Sequence, residues 1–226
     1  MEQDISEHTE NTAEKTSSSH AAPKAMPIKP GIYLVSTPIG NLRDITFRAL
    51  DVLSSVDLIV CEDTRVTGKL IGAYGFKKKM QVYNDHSTQK QREDIINLVK
   101  NGQSVAFLSD AGTPLVSDPG FKLVRFAIEN EVMVTSLPGP NAALTALQLS
   151  GLPSDQFSFL GFLPPKSGAR QSVLQQWAET PSTLLIYETG PRLLASLGDM
   201  RTVFGDRDVA VMREMTKIYE ETRRGK

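Results

Sequence analysis

The stretch Leu108-Ser109-Asp110-Ala111-Gly112-Thr113-Pro114-Leu115-Val116-Ser117-Asp118-Pro119-Gly120 decides how this chain is read. Before it, Ser104-Val105-Ala106-Phe107 is a short apolar run of the kind that forms a buried strand. After it, Phe121 to Ile128 carries apolar residues at helical spacing. A compact strand-to-helix connection takes about 2–6 residues, and this one is longer. Two tight turns with aspartate caps would account for its composition; a ligand-binding loop accounts for its length as well. Small residues let a ligand approach the backbone closely. In open α/β sheets, ligands bind at the carboxyl ends of the strands. Asp110, directly past the strand, sets a carboxylate where an amine or a hydroxyl can meet it.

The same rhythm extends outward. Gly31-Ile32-Tyr33-Leu34-Val35-Ser36 reads as a strand and runs into the tight loop Thr37-Pro38-Ile39-Gly40-Asn41. Asp44 is the expected cap of the next helix, with Ile45, Ala49, Leu50 and Leu53 on its apolar face. Val56 to Cys61 is a second strand, ending in Glu62-Asp63-Thr64-Arg65, and a helix follows to about Tyr74. Met80 to Tyr83 is a short strand ending in Asn84-Asp85-His86-Ser87; Arg92 to Lys100 is a helix closed by Gly102. Val132 to Thr135 is a strand, Ser136-Leu137-Pro138-Gly139-Pro140-Asn141-Ala142 its loop, and Asn141 to Leu149 a helix. Five β–α repeats predict a mostly parallel sheet with helices packed on it.

After the linker Gly151 to Asp155 the rhythm changes. Phe157 to Phe162 alternates and reads as a strand, Pro164 to Arg170 as a loop with two cations, and Val173 to Ala178 as a helix. Strand Thr183 to Tyr187 ends in Glu188-Thr189-Gly190-Pro191-Arg192; helix Leu193 to Met200 and strand Asp208 to Arg213 follow, with no closing element. The expected organisation is a disordered tail over residues 1–30, an α/β domain over 31–151 and a second α/β domain over 152–226, truncated at its end.

Composition narrows the classes. The 226 residues are 40% hydrophobic and 23% charged, ordinary for a globular protein. A net charge of -1 offers no global basic field toward nucleic acid. The single cysteine, Cys61, excludes an intramolecular disulfide and a cysteine-based zinc cluster, and suits a reducing cytosol. No apolar run has the length of a membrane span, and no secretion signal stands at the N-terminus.

Thr37–Gly40, Glu62–Arg65, Asp110–Gly112, Pro138–Ala142 and Glu188–Pro191 converge along one edge of the sheets in this reading, making a cleft built largely of backbone. Such a cleft suits a ligand with many polar edges and an adenosine-like body. The G-x-x-x-x-G-K-[ST] and G-x-G-x-x-G phosphate fingerprints and the H-E-x-x-H zinc motif are absent, so no metal site is expected.

The motifs Thr37-Pro38-Ile39-Gly40-Asn41-Leu42-Arg43-Asp44, Glu62-Asp63-Thr64-Arg65, Ser109-Asp110-Ala111-Gly112-Thr113-Pro114 with Ser117-Asp118-Pro119-Gly120, Pro138-Gly139-Pro140-Asn141-Ala142 and Gly161-Phe162-Leu163-Pro164-Pro165-Lys166 occur in that order. From about Gly31 to the end the chain closely resembles the ribosomal RNA small subunit methyltransferase I family of the tetrapyrrole-methylase superfamily. The resemblance implies two α/β domains with the cofactor cleft between them, S-adenosylmethionine as methyl donor, and 2′-O-methylation of a cytidine ribose in 16S rRNA of the small ribosomal subunit. It also implies a cytoplasmic homodimer. Family members continue beyond Arg224-Gly225.

Resemblance assigns the cofactor wall to Pro38, Asp110, Ala111, Gly112, Thr113, Leu115, Asn141, Ala142, Tyr187 and Glu188. A carboxylate beside a sulfonium and its ammonium is electrostatically favourable. Asn141 is also a natural helix cap, and Tyr187 also a natural last core residue of its strand. Attack by a ribose hydroxyl is helped by a base. Glu62, Asp63, Arg65 and His86 form the expected catalytic group; Lys166 and Glu188 are further proton acceptors or donors to weigh. Asp63 capping a helix with Glu62 solvated is the plainer reading of that cluster. Arg65, Lys166 and Arg170 are the expected RNA contacts, against an ordinary solvated loop. Two other functions compete: a tetrapyrrole methylase of the same superfamily, and a non-catalytic RNA-binding module.

Overall fold

The computed structural model of this chain describes residues 24–226, so most of the expected disordered tail lies outside the described residues. Strands β1 (Gly31–Val35), β2 (Leu58–Cys61), β3 (Met80–Val82), β4 (Ser104–Leu108) and β5 (Val134–Leu137) form one sheet in the order β3-β2-β4-β1-β5. Every pairing in it is parallel. The three inner strands β2, β4 and β1 are short, nearly unbroken apolar runs because both faces are covered.

Side-chain alternation divides the core in two. Tyr33, Val35, Ile59, Cys61, Ala106 and Leu108 face α1 (Phe47–Ser55) and α2 (Thr64–Ala73), meeting Ala49, Leu50, Leu53, Leu70 and Ile71. Ile32, Leu58, Val60, Val105 and Phe107 face α3 (Gln89–Lys100) and α4 (Phe121–Glu129), meeting Ile95, Ile96, Val99, Leu123 and Ala127. Lys24 to Pro30 run extended along α1, where the Lys24 and Met26 amides donate to Asp51 and Ser55.

Local chemistry moves several helix ends from their expected places. Asp44 lies in a 3-10 turn (Leu42–Asp44), and Thr46 caps α1 instead, its hydroxyl accepting from the Ala49 amide at 3.1 Å. The N-terminus of α3 comes earlier than the apolar pattern predicts, because Thr88 and Gln91 form a reciprocal capping box.

Helix α5 (Ala142–Ser150) leads to the second half. There β6 (Phe157–Phe162) pairs in parallel with β7 (Thr183–Tyr187), flanked by α6 (Ser167–Gln176) and α7 (Gly190–Phe204). Helix α6 takes in Ser167 to Arg170, which were expected to be loop. The expectation of no closing element is also corrected: β8 (Val209–Arg213) pairs antiparallel with β9 (Glu221–Gly225). The Arg224 guanidinium donates to the carbonyls of Leu149 and Ser150, satisfying groups that the end of α5 leaves open. Leu185, Phe159 and Tyr187 pack on Ala143 and Leu147 of α5, so this helix is the seam between the two halves.

Candidate functional site

Strand order places the cleft. The chain leaves β1 through α1 toward β2, and leaves β4 through α4 toward β5, in opposite directions across the sheet. β1 and β4 are neighbours, so their carboxyl ends form a topological switch point, where open α/β sheets bind ligands. The loops there are Thr37–Asn41 and Ser109–Gly120. A two-bond bridge ties them: Thr37 N donates to Gly112 O at 2.8 Å, and Gly112 N to Thr37 O at 3.0 Å.

Thr113 draws in the third loop. Its hydroxyl donates to Pro140 O at 3.0 Å and accepts from Asn141 Nδ2 at 3.2 Å and from Ser36 Oγ at 3.5 Å. Asn141 also caps α5, its Oδ1 accepting from the Leu144 amide at 3.0 Å. Cap and loop tie therefore coexist. Pro38 lies on the β1 loop, Ala111 beside Gly112, and Ala142 at the first position of α5.

The Asp110–Gly120 loop is shaped by backbone in the left-handed region at Gly112, Leu115, Ser117 and Gly120. Two glycines permit close approaches. A Cβ on Gly120 would lie 2.6 Å from the buried Phe107 ring, and one on Gly161 would lie 2.8 Å from Ser117 Oγ. Gly161 interrupts the β6–β7 register, so the second half closes onto this loop at that bulge.

Glu62 stands at the end of β2 with its Oε1 buried and without a hydrogen-bond partner. Burial, then the neighbouring carboxylates Asp118, Asp110 and Asp85, push its carboxyl up to about 7. Asp118 and Asp110 are themselves raised, each first by burial. Several anions sharing a partly desolvated space disfavour one another's charge. Asp118 was not singled out in the sequence, because eight residues separate it from Asp110; only the folded loop brings it to Glu62. Among the described residues no group of three or more His, Cys, Asp or Glu side chains is placed to hold a metal ion.

The other expected site residues divide. Asp63 caps α2 and is chelated by Arg65, at 2.6 Å between Nη2 and Oδ2, which holds its carboxyl below the usual range. The Arg65 side chain is 86% exposed and remains open to a phosphate. His86 is exposed on the turn after β3, its amide donating to Asn84 Oδ1. Tyr187 packs edge-on to Phe159 and tilted against Phe162, with ring centroids 5.0 and 5.5 Å away, and burial raises its phenol. Lys166 is exposed at the start of α6.

Two expected site residues are held by other parts of the chain. Arg170 is 3% exposed, ion-paired to Asp199 at 2.6 Å, and donates to the carbonyls of Pro164 and Pro165. Its guanidinium braces α6 against α7 and holds the Pro164-Pro165 turn. The Glu188 carboxylate is likewise held by partners within the chain. That side chain is 7% exposed, pairs with Arg192 at 3.2 Å, and accepts from Thr189 N and Ser196 Oγ. Burial alone would raise its carboxyl, but these donors outweigh burial and lower it. Arg170→Met is therefore expected to lower the melting temperature by several degrees without changing RNA affinity at temperatures where the variant is folded. A selective loss of RNA affinity would return Arg170 to the substrate surface.

Fold and site together define an α/β protein with an acidic, loop-built ligand cleft at a topological switch point. The family model of tetrapyrrole (corrin/porphyrin) methylases matches residues 31–226. Among solved structures, the chain is similar to uroporphyrin-III-C-methyltransferase from Thermus thermophilus, at 20% identity and TM-score 0.58, covering 87% of this chain and 84% of that one. It is also similar to a cobalt precorrin-4 methyltransferase, at 14% identity and TM-score 0.62, covering 86% and 84%. A Mesorhizobium japonicum protein named ribosomal RNA small subunit methyltransferase I is 48% identical over 202 residues, 89% of this chain and 69% of that protein. Its namesake in Vibrio cholerae is 50% identical over 192 residues, 84% and 67%. The chain belongs to the ribosomal RNA small subunit methyltransferase I family of the tetrapyrrole methylases.

Proposed function

We propose that this chain transfers a methyl group from S-adenosylmethionine to the 2′-hydroxyl of a cytidine ribose in 16S rRNA of the small ribosomal subunit. The observation that carries the reading is the buried, unpartnered Oε1 of Glu62 at the end of β2 beside Asp110 and Asp118, in a chain 48% identical over 202 residues to a ribosomal RNA methyltransferase. S-adenosylmethionine, when bound, supplies an electrophilic methyl group. The residues present suit that molecule. Gly112 lets a ligand come close to the loop without meeting a side chain, and Asp110 offers negative charge toward a sulfonium and an ammonium.

The chain's own groups divide the remaining work. Glu62 takes the ribose hydroxyl proton as the oxygen attacks, a task suited to a carboxyl whose pKa lies near the working pH. Burial first, and then Asp118 and Asp110, keep that pKa high. The loop ties at Thr37, Thr113 and Asn141 hold the donor side rigid, so the nucleophile meets the methyl carbon in line. Arg65 and Lys166, exposed cations at the two sides of the cleft, contact phosphates.

Incubation with labelled S-adenosylmethionine and small ribosomal subunits tests the reading. Label in a 16S cytidine ribose is expected. Transfer to a tetrapyrrole alone, or RNA binding without transfer, would replace it with one of the competing functions. Lys166→Ala is expected to weaken RNA binding severalfold and to reduce the salt dependence by about one phosphate contact. An unchanged salt slope removes Lys166 from the RNA surface.

A further inference from the structure

Resting on that reading, we propose that the tip of the β8–β9 hairpin is an RNA-docking element in which Tyr219, flanked by Ile218, stacks on an unpaired nucleobase of the substrate at the rim of the cleft.

Position is the first argument. The tip meets the loop that follows β1: Asn41 N donates to Thr216 Oγ1 at 3.1 Å, and Gly40 has no room for a Cβ, which would lie 2.8 Å from the same hydroxyl. Thr216 also lines the groove bounded by Ile39, Gly139 and Pro140, at the carboxyl ends of β1 and β5. A polynucleotide that reaches the switch point passes this rim.

Rigidity is the second. Glu214 and Thr216 both hold left-handed backbone, an arrangement that costs non-glycine residues energy and persists where surrounding structure imposes it. Thr216 N donates to Glu220 Oε2 at 2.7 Å, Lys217 N to Glu214 O at 3.0 Å, and Glu220 N to Lys217 O at 3.2 Å. The turn is internally stapled, yet Ile218 and Tyr219 are 94% and 76% exposed. The staples preorganise an aromatic side chain that is left largely open to solvent.

The ring and its place select the occupant. On the hairpin arms Arg213 and Arg223 share one carboxylate, Glu221, at 2.5 and 2.6 Å. In the turn itself Lys217 pairs with Glu214 at 3.1 Å and Glu220 accepts from the Thr216 amide, so the tip is close to neutral. Arg43 is exposed beside Asn41. A largely exposed aromatic ring at the rim of a cleft read as taking RNA, with guanidiniums on the flanking arms, fits a single-stranded segment, where bases stack on side chains and phosphates meet arginines.

Fluorescence anisotropy with a short cytidine-containing single-stranded RNA tests the assignment. Tyr219→Ala is expected to weaken binding about tenfold, Tyr219→Trp to retain it, and both to keep wild-type S-adenosylmethionine affinity. Equal RNA affinity in wild type and Tyr219→Ala would overturn the proposal while leaving the methyltransferase reading intact. So would a shift of Tyr219→Ala to a smaller sedimenting species with RNA affinity per protomer unchanged, which would assign the tip to contact between copies of this chain. Wild-type protein that binds neither RNA nor S-adenosylmethionine would overturn both.

Discussion

Glu62→Gln is expected to lower methyl transfer by about 100- to 10,000-fold while leaving S-adenosylmethionine affinity unchanged, the range general-base catalysis contributes. Glutamine keeps the shape of the side chain and removes its capacity to accept a proton. In the wild-type protein the carboxyl is raised to about 7, first by burial and then by Asp118 and Asp110, so the ionised form is depleted as pH falls below that value. The rate should rise with pH toward a plateau above about 7, and the Glu62→Gln residual rate should lack that limb. The same shift acts oppositely on stability. The native state holds a proton that the unfolded chain releases near its ordinary pKa of about 4.3, so stability falls as pH rises from there toward 7. Above pH 7, Glu62→Gln should therefore be more stable than wild type, by about 1–2 kcal/mol once the solvent open to this partly exposed carboxyl is allowed for. A variant that is slower and more stable identifies Glu62 as a group kept for chemistry. A flat pH–rate profile or an undiminished rate would remove Glu62 from the role of base.

Gly120→Ala is expected to destabilise the protein by about 3 kcal/mol or more, a large share of an ordinary domain's stability. Two effects act together. The residue holds φ at +124° at the N-terminus of α4, where an L side chain is strained by about 1–3 kcal/mol. Its new Cβ would also sit 2.6 and 2.8 Å from Cε1 and Cζ of Phe107, a fully buried ring packed edge-on against Tyr83 at a centroid distance of 5.8 Å. Overpacking of this kind costs about 1–3 kcal/mol. Because Gly120 ends the Asp110–Gly120 loop, donor affinity should fall along with stability. Phe107→Leu in the same chain should return part of both losses, and thermal melts with calorimetry on the four members of that cycle would measure the coupling. Additive effects would show that the ring is not what Gly120 accommodates.

Legibility in the sequence followed the range of the forces involved. Strand and helix periodicity is local, so the five β–α repeats of the first half were visible. The loops at the strand ends were visible too, since their glycines and prolines have few other uses. The second half was less legible. Residues 167–170 were mistaken for loop because the helix start they form has no side-chain cap. β9 went unseen because Glu221-Thr222-Arg223-Arg224-Gly225 carries no apolar alternation and is held by pairing with β8.

By itself, then, the sequence determined a parallel α/β half with ligand loops at the carboxyl ends of its strands, and the order of motifs that marks its family. Tertiary structure alone decided which polar side chains remain available. Arg170, from its place in a loop with Lys166, and Glu188, from the family resemblance, are expected to meet ligands, but buried partners distant in sequence engage both: Asp199 for the first and Ser196 for the second. Asp118 looked like a turn residue until the loop carried it to Glu62. Charge and hydrogen bonding act through space and are consumed by whichever group comes nearest. The availability of a carboxylate or a guanidinium is therefore a property of the fold, while the loop that opens at Asp110 is a property of the chain.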